Sequence, residues 1–163
     1  MIETVILYVL NRYDATIYRI ARIIDELFFA FLKSSAGTIN PALKRLEKLG
    51  CVEYTEKMSD GGMLSKIYSI TPEGKKYLKE SLLAFTSTNP NHVLSEAKIA
   101  IFCSDFLSVG DYSEFKDNML NNLELYKIKL QNGLKNEYIT LKEIQKLSVE
   151  TALEETEKLI KIL

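Results

Sequence analysis

The sequence predicts a mainly α-helical fold with one β-hairpin set among its amino-terminal helices, on three observations. Apolar residues recur at helical spacing through most of the 163 residues. Between residues 51 and 70 that period gives way to two-residue alternation around a Ser59-Asp60-Gly61-Gly62 turn signal. From Val93 onward the helical period returns. Three helices, a hairpin and a further helix make winged helix-turn-helix topology, here followed by a carboxy-terminal α-helical part.

Ile2, Val5, Ile6, Val9 and Leu10 share one helical face, so residues 2–11 form the first helix, with Tyr8 extending its apolar surface. Thr16 is the N-cap of a second helix whose Ile17, Ile20, Ala21, Ile24 and Leu27 align, while Arg19 and Arg22 lie off that face. The run FFAFL at 28–32 is too apolar for a solvated loop and is expected to pack inward or to extend the helix. Ser35 caps a third helix with a core stripe of Ile39, Ala42, Leu43, Leu46 and Leu49. Gly37, Asn40, Pro41, Lys44 and Lys48 project oppositely, with Thr38 and Arg45 beside them, and Gly50 is the stop. Pro41 removes one helical hydrogen bond and is expected to strain the helix. CVEYTEKM and LSKIYSI alternate as the two strands of the hairpin. Thr71-Pro72-Glu73 then supplies N-cap, N1 proline and an early acid for a fourth helix carrying Tyr77, Leu78, Leu82 and Phe85 inward.

The polar stretch 86–91 reads as the boundary between a winged helix-turn-helix DNA-binding domain, residues 1–88, and a helical dimerisation and effector domain, residues 89–163. Residues 93–107 are apolar on nearly every side, which requires burial. Gly110 is expected to break that helix, and Asp111 with Glu114 to open a long one. Its Tyr112, Phe115, Met119, Leu123, Tyr126, Leu130 and Leu134 form a seam suited to helix–helix packing. Thr140 and Glu143 mark the start of a last helix bearing Leu141, Ile144, Leu147, Leu153, Leu159 and Ile160. A part of about 75 residues rarely buries this much apolar surface alone, so a homodimer is expected.

The net charge is -1. Residues 1–88 carry 12 Lys and Arg against 10 Asp and Glu, and residues 89–163 carry 9 against 12, so the amino-terminal part is the one suited to anions. No apolar run is long enough for a membrane span and no signal-peptide pattern opens the chain. Cys51 and Cys103 make neither a disulfide framework nor a metal spacing, which sets a cytoplasmic location as the expectation, with packing as the role of both. His92 is the one histidine, and nucleophile motifs, phosphate-cradling glycine loops and paired metal ligands are absent. An enzyme, a metal and a cofactor are therefore not expected.

The segment Ser35–Leu46, SAGTINPALKRL, resembles the signature helix of the PadR family of bacterial transcriptional regulators, with Gly50 where that helix ends. Lys66, Tyr68, Ile70, Thr71 and Gly74 match the family's basic–aromatic–x–aliphatic–threonine–x–x–glycine pattern at the end of the wing. The likeness covers roughly residues 2–80, and the rest agrees in kind, as helices used for dimerisation. Asn40 stands where relatives usually carry an aromatic, and residues 13–16 lack the glycine–tyrosine pair that often opens the second helix. With no tryptophan in the chain, the drug-stacking aromatic sandwich of some relatives does not carry over. The resemblance implies a homodimeric repressor on an inverted-repeat double-stranded DNA operator, often released by a small-molecule effector.

The candidate DNA contacts follow from side-chain chemistry. Lys44 and Lys48, one turn apart, suit phosphate or guanine, and Asn40 suits adenine. Gly37 lets the backbone come close to the sugar-phosphate rail. Ser35 and Thr38 combine capping with donation to phosphate, and Arg45 flanks the same face. Lys66, with Lys57, serves the wing at the minor groove. Taken singly, each has a plainer role as solvated charge, helix cap or edge-strand protection. The competing reading is a winged-helix protein-interaction module that does not read DNA, which the near-neutral charge favours.

Overall fold

The computed structural model describes residues 1–58, 62, 64–87, 89, 92–136 and 140–163. Most of the turn signal (Ser59, Asp60, Gly61) and Thr88, Pro90 and Asn91 of the boundary stretch lie outside them. The order is α1 (Ile2–Leu10), α2 (Ile17–Leu27), α3 (Ala36–Lys48), β1 (Val52–Met58), β2 (Leu64–Ile70), α4 (Pro72–Leu83), α5 (Val93–Cys103), a short 3-10 helix (Ser104–Phe106), α6 (Val109–Leu134) and α7 (Glu143–Ile162). The chain forms two compact units, Met1–Leu82 with Ile99–Phe106, and Leu83–Lys98 with Leu107–Leu163. No described helix is long and apolar enough to cross a membrane.

In the first unit α1 is buried from Thr4 to Leu10 on every side, so Leu7, outside the expected stripe, is as inaccessible as Ile6. Helices α2 and α3 and strand β2 all pack on it. Thr16 caps α2 by accepting from the Arg19 N–H. The FFAFL run divides: Phe28 is wholly buried, edge-on to Tyr8, while Phe29 is 82% exposed. Ser34 is buried, its N–H donating to Asp25 Oδ1 at 3.0 Å and its Oγ lying 3.1 Å from the same oxygen and 3.2 Å from the Ala21 carbonyl oxygen. This contact ties the turn between α2 and α3.

Helix α3 ends in a Schellman motif. Gly50, at φ +68°, donates to the Glu47 carbonyl and Cys51 donates to that of Leu46 at 2.9 Å. That geometry turns Leu49 outward, 54% exposed, so it is not part of the core stripe that Ile39, Ala42, Leu43 and Leu46 form. Strands β1 and β2 pair antiparallel, Val52 opposite Ile70, Tyr54 opposite Tyr68 and Glu56 opposite Lys66. The hairpin is buried at its root, at Val52 and Tyr68, and exposed toward Met58 and Leu64. Ala15 joins its edge by exchanging two backbone hydrogen bonds with Tyr68, of 3.0 and 2.9 Å.

In the second unit α6 packs on α7, burying Phe115, Met119 and Leu123 of the seam and Thr156 and Leu159 of α7. Two helix starts differ from expectation. Helix α6 opens at Val109 because Ser108, not Asp111, is the cap, its side chain accepting from the Asp111 N–H, and Gly110 lies inside the first turn. Helix α7 opens after Lys142, whose N–H donates to Gln145 Oε1 at 2.9 Å, two residues beyond Thr140.

Candidate nucleic-acid interface

Helix α3 presents a fixed surface because its start is locked. Ser35 Oγ accepts from the Thr38 N–H at 3.3 Å, while the Ser35 N–H donates to Thr38 Oγ1 at 3.1 Å, a reciprocal capping box. The hydroxyls that the sequence assigns to both capping and DNA are therefore engaged in capping, and both residues remain exposed. Along the same surface Gly37, Asn40, Lys44, Arg45 and Lys48 are exposed, and Pro41 among them does not interrupt the helix.

Gly37 is not needed by the protein's own packing. A Cβ there would meet only Ser35 Oγ, at an ordinary 3.6 Å. A glycine inside a helix costs roughly 0.5–1 kcal/mol relative to alanine. Its surroundings offer no packing reason for a glycine at this position.

Arg45 is not a free cation: its Nε donates to Glu3 Oε1 of α1 at 2.5 Å. The arginine side chain is 56% exposed, and pairs of this kind contribute about 0–1 kcal/mol, little enough for a phosphate to displace the carboxylate. On the hairpin, Lys66 Nζ lies 3.6 Å from the centroid of the Tyr54 ring, a diagonal cross-strand contact. Tyr54 hydrogen bonding raises the Lys66 pKa above its ordinary value, so the wing's cation stays charged. Tyr54 in turn packs against Tyr68, ring centroids 5.7 Å apart. Sequence reading missed Tyr54 here; its position diagonal to Lys66 was the available signal once the register was known. It also missed Glu3 and the Ser34–Asp25 clamp, which depend on contacts distant in sequence.

Both cysteines are buried. Burial pushes the Cys51 and Cys103 thiols above their ordinary pKa, opposite to what a reactive thiolate needs.

A capped, outward-facing helix, a turn that fixes it against α2 and a two-stranded wing make the first unit a winged helix-turn-helix. The family model "Transcriptional regulator PadR-like family" matches residues 6–80. A PadR-like transcriptional regulator from Bacillus cereus is 33% identical over 48% of this chain and 75% of its own, with a TM-score of 0.42. A PadR family transcription regulator from hypervirulent Clostridium difficile is 30% identical over 49% of this chain and 81% of its own, with a TM-score of 0.43. Bacillus subtilis PadR, solved in complex with operator DNA, is 20% identical over 98% of this chain and 92% of its own, with a TM-score of 0.50, and shares the fold. No curated protein matches the sequence. The chain belongs to the PadR-like family of transcriptional regulators.

Proposed function

We propose that this regulator is a sequence-specific DNA-binding protein that acts as a homodimeric repressor on an inverted-repeat operator. The observation that carries the reading is the exposed face of α3, where Gly37, Asn40, Lys44 and Lys48 stand out from a helix locked by its capping box. Lys44 and Lys48 take phosphates or guanine edges, Asn40 reads an adenine, Gly37 admits the sugar-phosphate rail, and Ser35 and Thr38 hold the helix start that faces it. Arg45 exchanges Glu3 for phosphate, and Lys66 serves the wing. Residues 1–88 act as the DNA-binding domain and residues 89–163 as the dimerisation and effector domain. That Bacillus subtilis PadR has been solved with operator DNA supports the reading. A concavity of about 370 Å³ in the second unit, walled by Val93, Leu125 and Tyr126 with Lys129 and Ser87, supports a small-molecule effector with an apolar body and a polar end.

Selection of duplexes from a random pool on the purified protein tests DNA binding and delivers the half-site. Lys44→Ala with Lys48→Ala is expected to abolish binding to the selected operator while leaving the oligomeric state unchanged. Normal operator binding by that double variant would remove α3 as the reading helix.

A further inference from the structure

Of the three cations on α3, Arg45 is the one already paired. Lys44 and Lys48 make no ion pair among the described residues, whereas the Arg45 guanidinium donates through Nε to Glu3 Oε1 at 2.5 Å. The partner comes from α1 and not from α3 itself. Glu47, the one acid of α3, faces Tyr68 of the wing instead. Arg45 does not need Glu3 for the stability of its own helix. It lies in the last turn of α3, where the partial negative charge of the carbonyls already suits a cation. Glu3 is held more firmly than its partner. It sits in the first turn of α1, one residue before a run buried on every side, and its side chain is 23% exposed against 56% for the arginine. The helix start favours its negative charge. Tyr77, which also feels the Glu3 charge, has its phenol pushed above its ordinary pKa, chiefly by burial, and so stays neutral. The result is a fixed carboxylate beside the surface proposed to face DNA, seated on a cation that suits a phosphate.

We infer that Glu3 is an internal competitor of DNA phosphate for Arg45 and thereby limits the affinity of the protein for its operator, an inference that rests on the DNA-binding reading above. A carboxylate and a phosphate offer the guanidinium the same chemistry, anionic oxygens that accept charge-assisted hydrogen bonds. The phosphate contact therefore forms only as the Glu3 contact is given up, and the net gain is the difference between the two. Where α3 is seated in the groove, the phosphate contact is strong and the exchange goes to completion, so the whole strength of the ion pair is subtracted from binding. Where docking is loose, the phosphate contact is weaker, and the subtraction is no larger than that contact. Half-exposed pairs of this kind are weak, which sets the effect at about two- to fivefold in affinity.

The test is a double-mutant cycle on affinity, with the parent, Glu3→Gln, Arg45→Gln and the two together, each measured on the selected operator and on a random duplex. Arg45→Gln is expected to weaken operator binding. Glu3→Gln is expected to strengthen operator binding about two- to fivefold, and random-duplex binding by no more than that. In the Arg45→Gln background the same change is expected to leave affinity nearly unchanged, because salt screens a lone surface charge within about 10 Å. Denaturant unfolding of Glu3→Gln is followed alongside. An equal gain in both backgrounds overturns the competition and leaves a general charge effect. Weaker operator binding by Glu3→Gln overturns it too, and makes Glu3 a positioning residue for Arg45. So does a lowered unfolding midpoint with unchanged affinity, since the pair is then only a tie between α1 and α3. Parent-like operator binding by Arg45→Gln removes the phosphate contact and the competition with it. In each of these outcomes the reading by α3 stands, whereas a parent that binds no duplex at low salt overturns both.

Discussion

Gly74 is a small residue with a large structural consequence. A Cβ added there would sit 2.0 Å from the Cys51 carbonyl oxygen and 2.8 Å from Ile70 Cγ1. The first α4 turn lies directly against the root of the wing, and only a hydrogen fits between them. Thr71 reinforces the junction: its N–H donates to the Cys51 carbonyl at 3.1 Å, its hydroxyl donates to the Gly50 carbonyl at 2.6 Å, and its Oγ1 accepts from the Gly74 N–H at 3.0 Å. Gly74→Ala must push backbone apart, because the atom it meets is a carbonyl and not the end of a flexible side chain. Overpacking of this kind typically costs about 1–3 kcal/mol, and denaturant unfolding should show the midpoint falling by a corresponding amount with the slope unchanged. An unaltered midpoint would mean that the junction is looser than these distances imply.

At the scale of elements, local chemistry decides how much the sequence discloses. The cap and stop of α3, the cap of α2 and the start of α4 were legible because Ser35, Thr16, Thr71 and Gly50 act on neighbours within a few residues. The all-round burial of α1, the splitting of FFAFL into buried Phe28 and exposed Phe29, and the Ala15 bridge were not, because each depends on partners far along the chain. Ser108 was overlooked for Asp111 although both suit an N-cap; a single sequence does not rank two such residues three apart when the turn between them contains a glycine. The same competition touches the candidate site, where Arg45 was legible as a cation but its Glu3 partner was not. Ser35 separates the two roles assigned to it. Ser35→Ala should cost about 0.5–2 kcal/mol of stability by removing the acceptor for the Thr38 N–H. Ser35→Asp keeps a good cap and adds a negative charge at the end of α3 proposed to face DNA, so its melting should stay near the parent's while operator affinity falls. Retained affinity in Ser35→Asp would show that the start of α3 lies away from phosphate.

At the scale of the whole molecule, the second unit covers only part of its own apolar surface. Seam residues Phe115, Met119 and Leu123 are buried against their own chain, but Leu125 and Ile128 of α6 and Ile144 and Leu147 of α7 are each at least 50% exposed. Isolated exposed leucines are ordinary, whereas four large aliphatic residues on two adjoining helices are the raw material of an interface. A self-complementary contact of about 800 Å² per partner is the standard size for a specific dimer. In the proposed dimer, two copies of α3 related by a two-fold axis would require half-sites about 34 Å apart or a multiple of that, in inverted orientation. Leu125→Asp with Leu147→Asp should shift sedimentation from dimer to monomer without altering helix content, since both side chains already face solvent. The same variant should bind a single half-site as the parent does yet lose the gain from the second, because joining two sites raises the effective local concentration of the second copy. Inserting half a helical turn between the half-sites should weaken the parent similarly and leave the monomeric variant unaffected. A parent that sediments as a monomer at micromolar concentration, or a double variant that remains dimeric, would place the interface elsewhere or remove it.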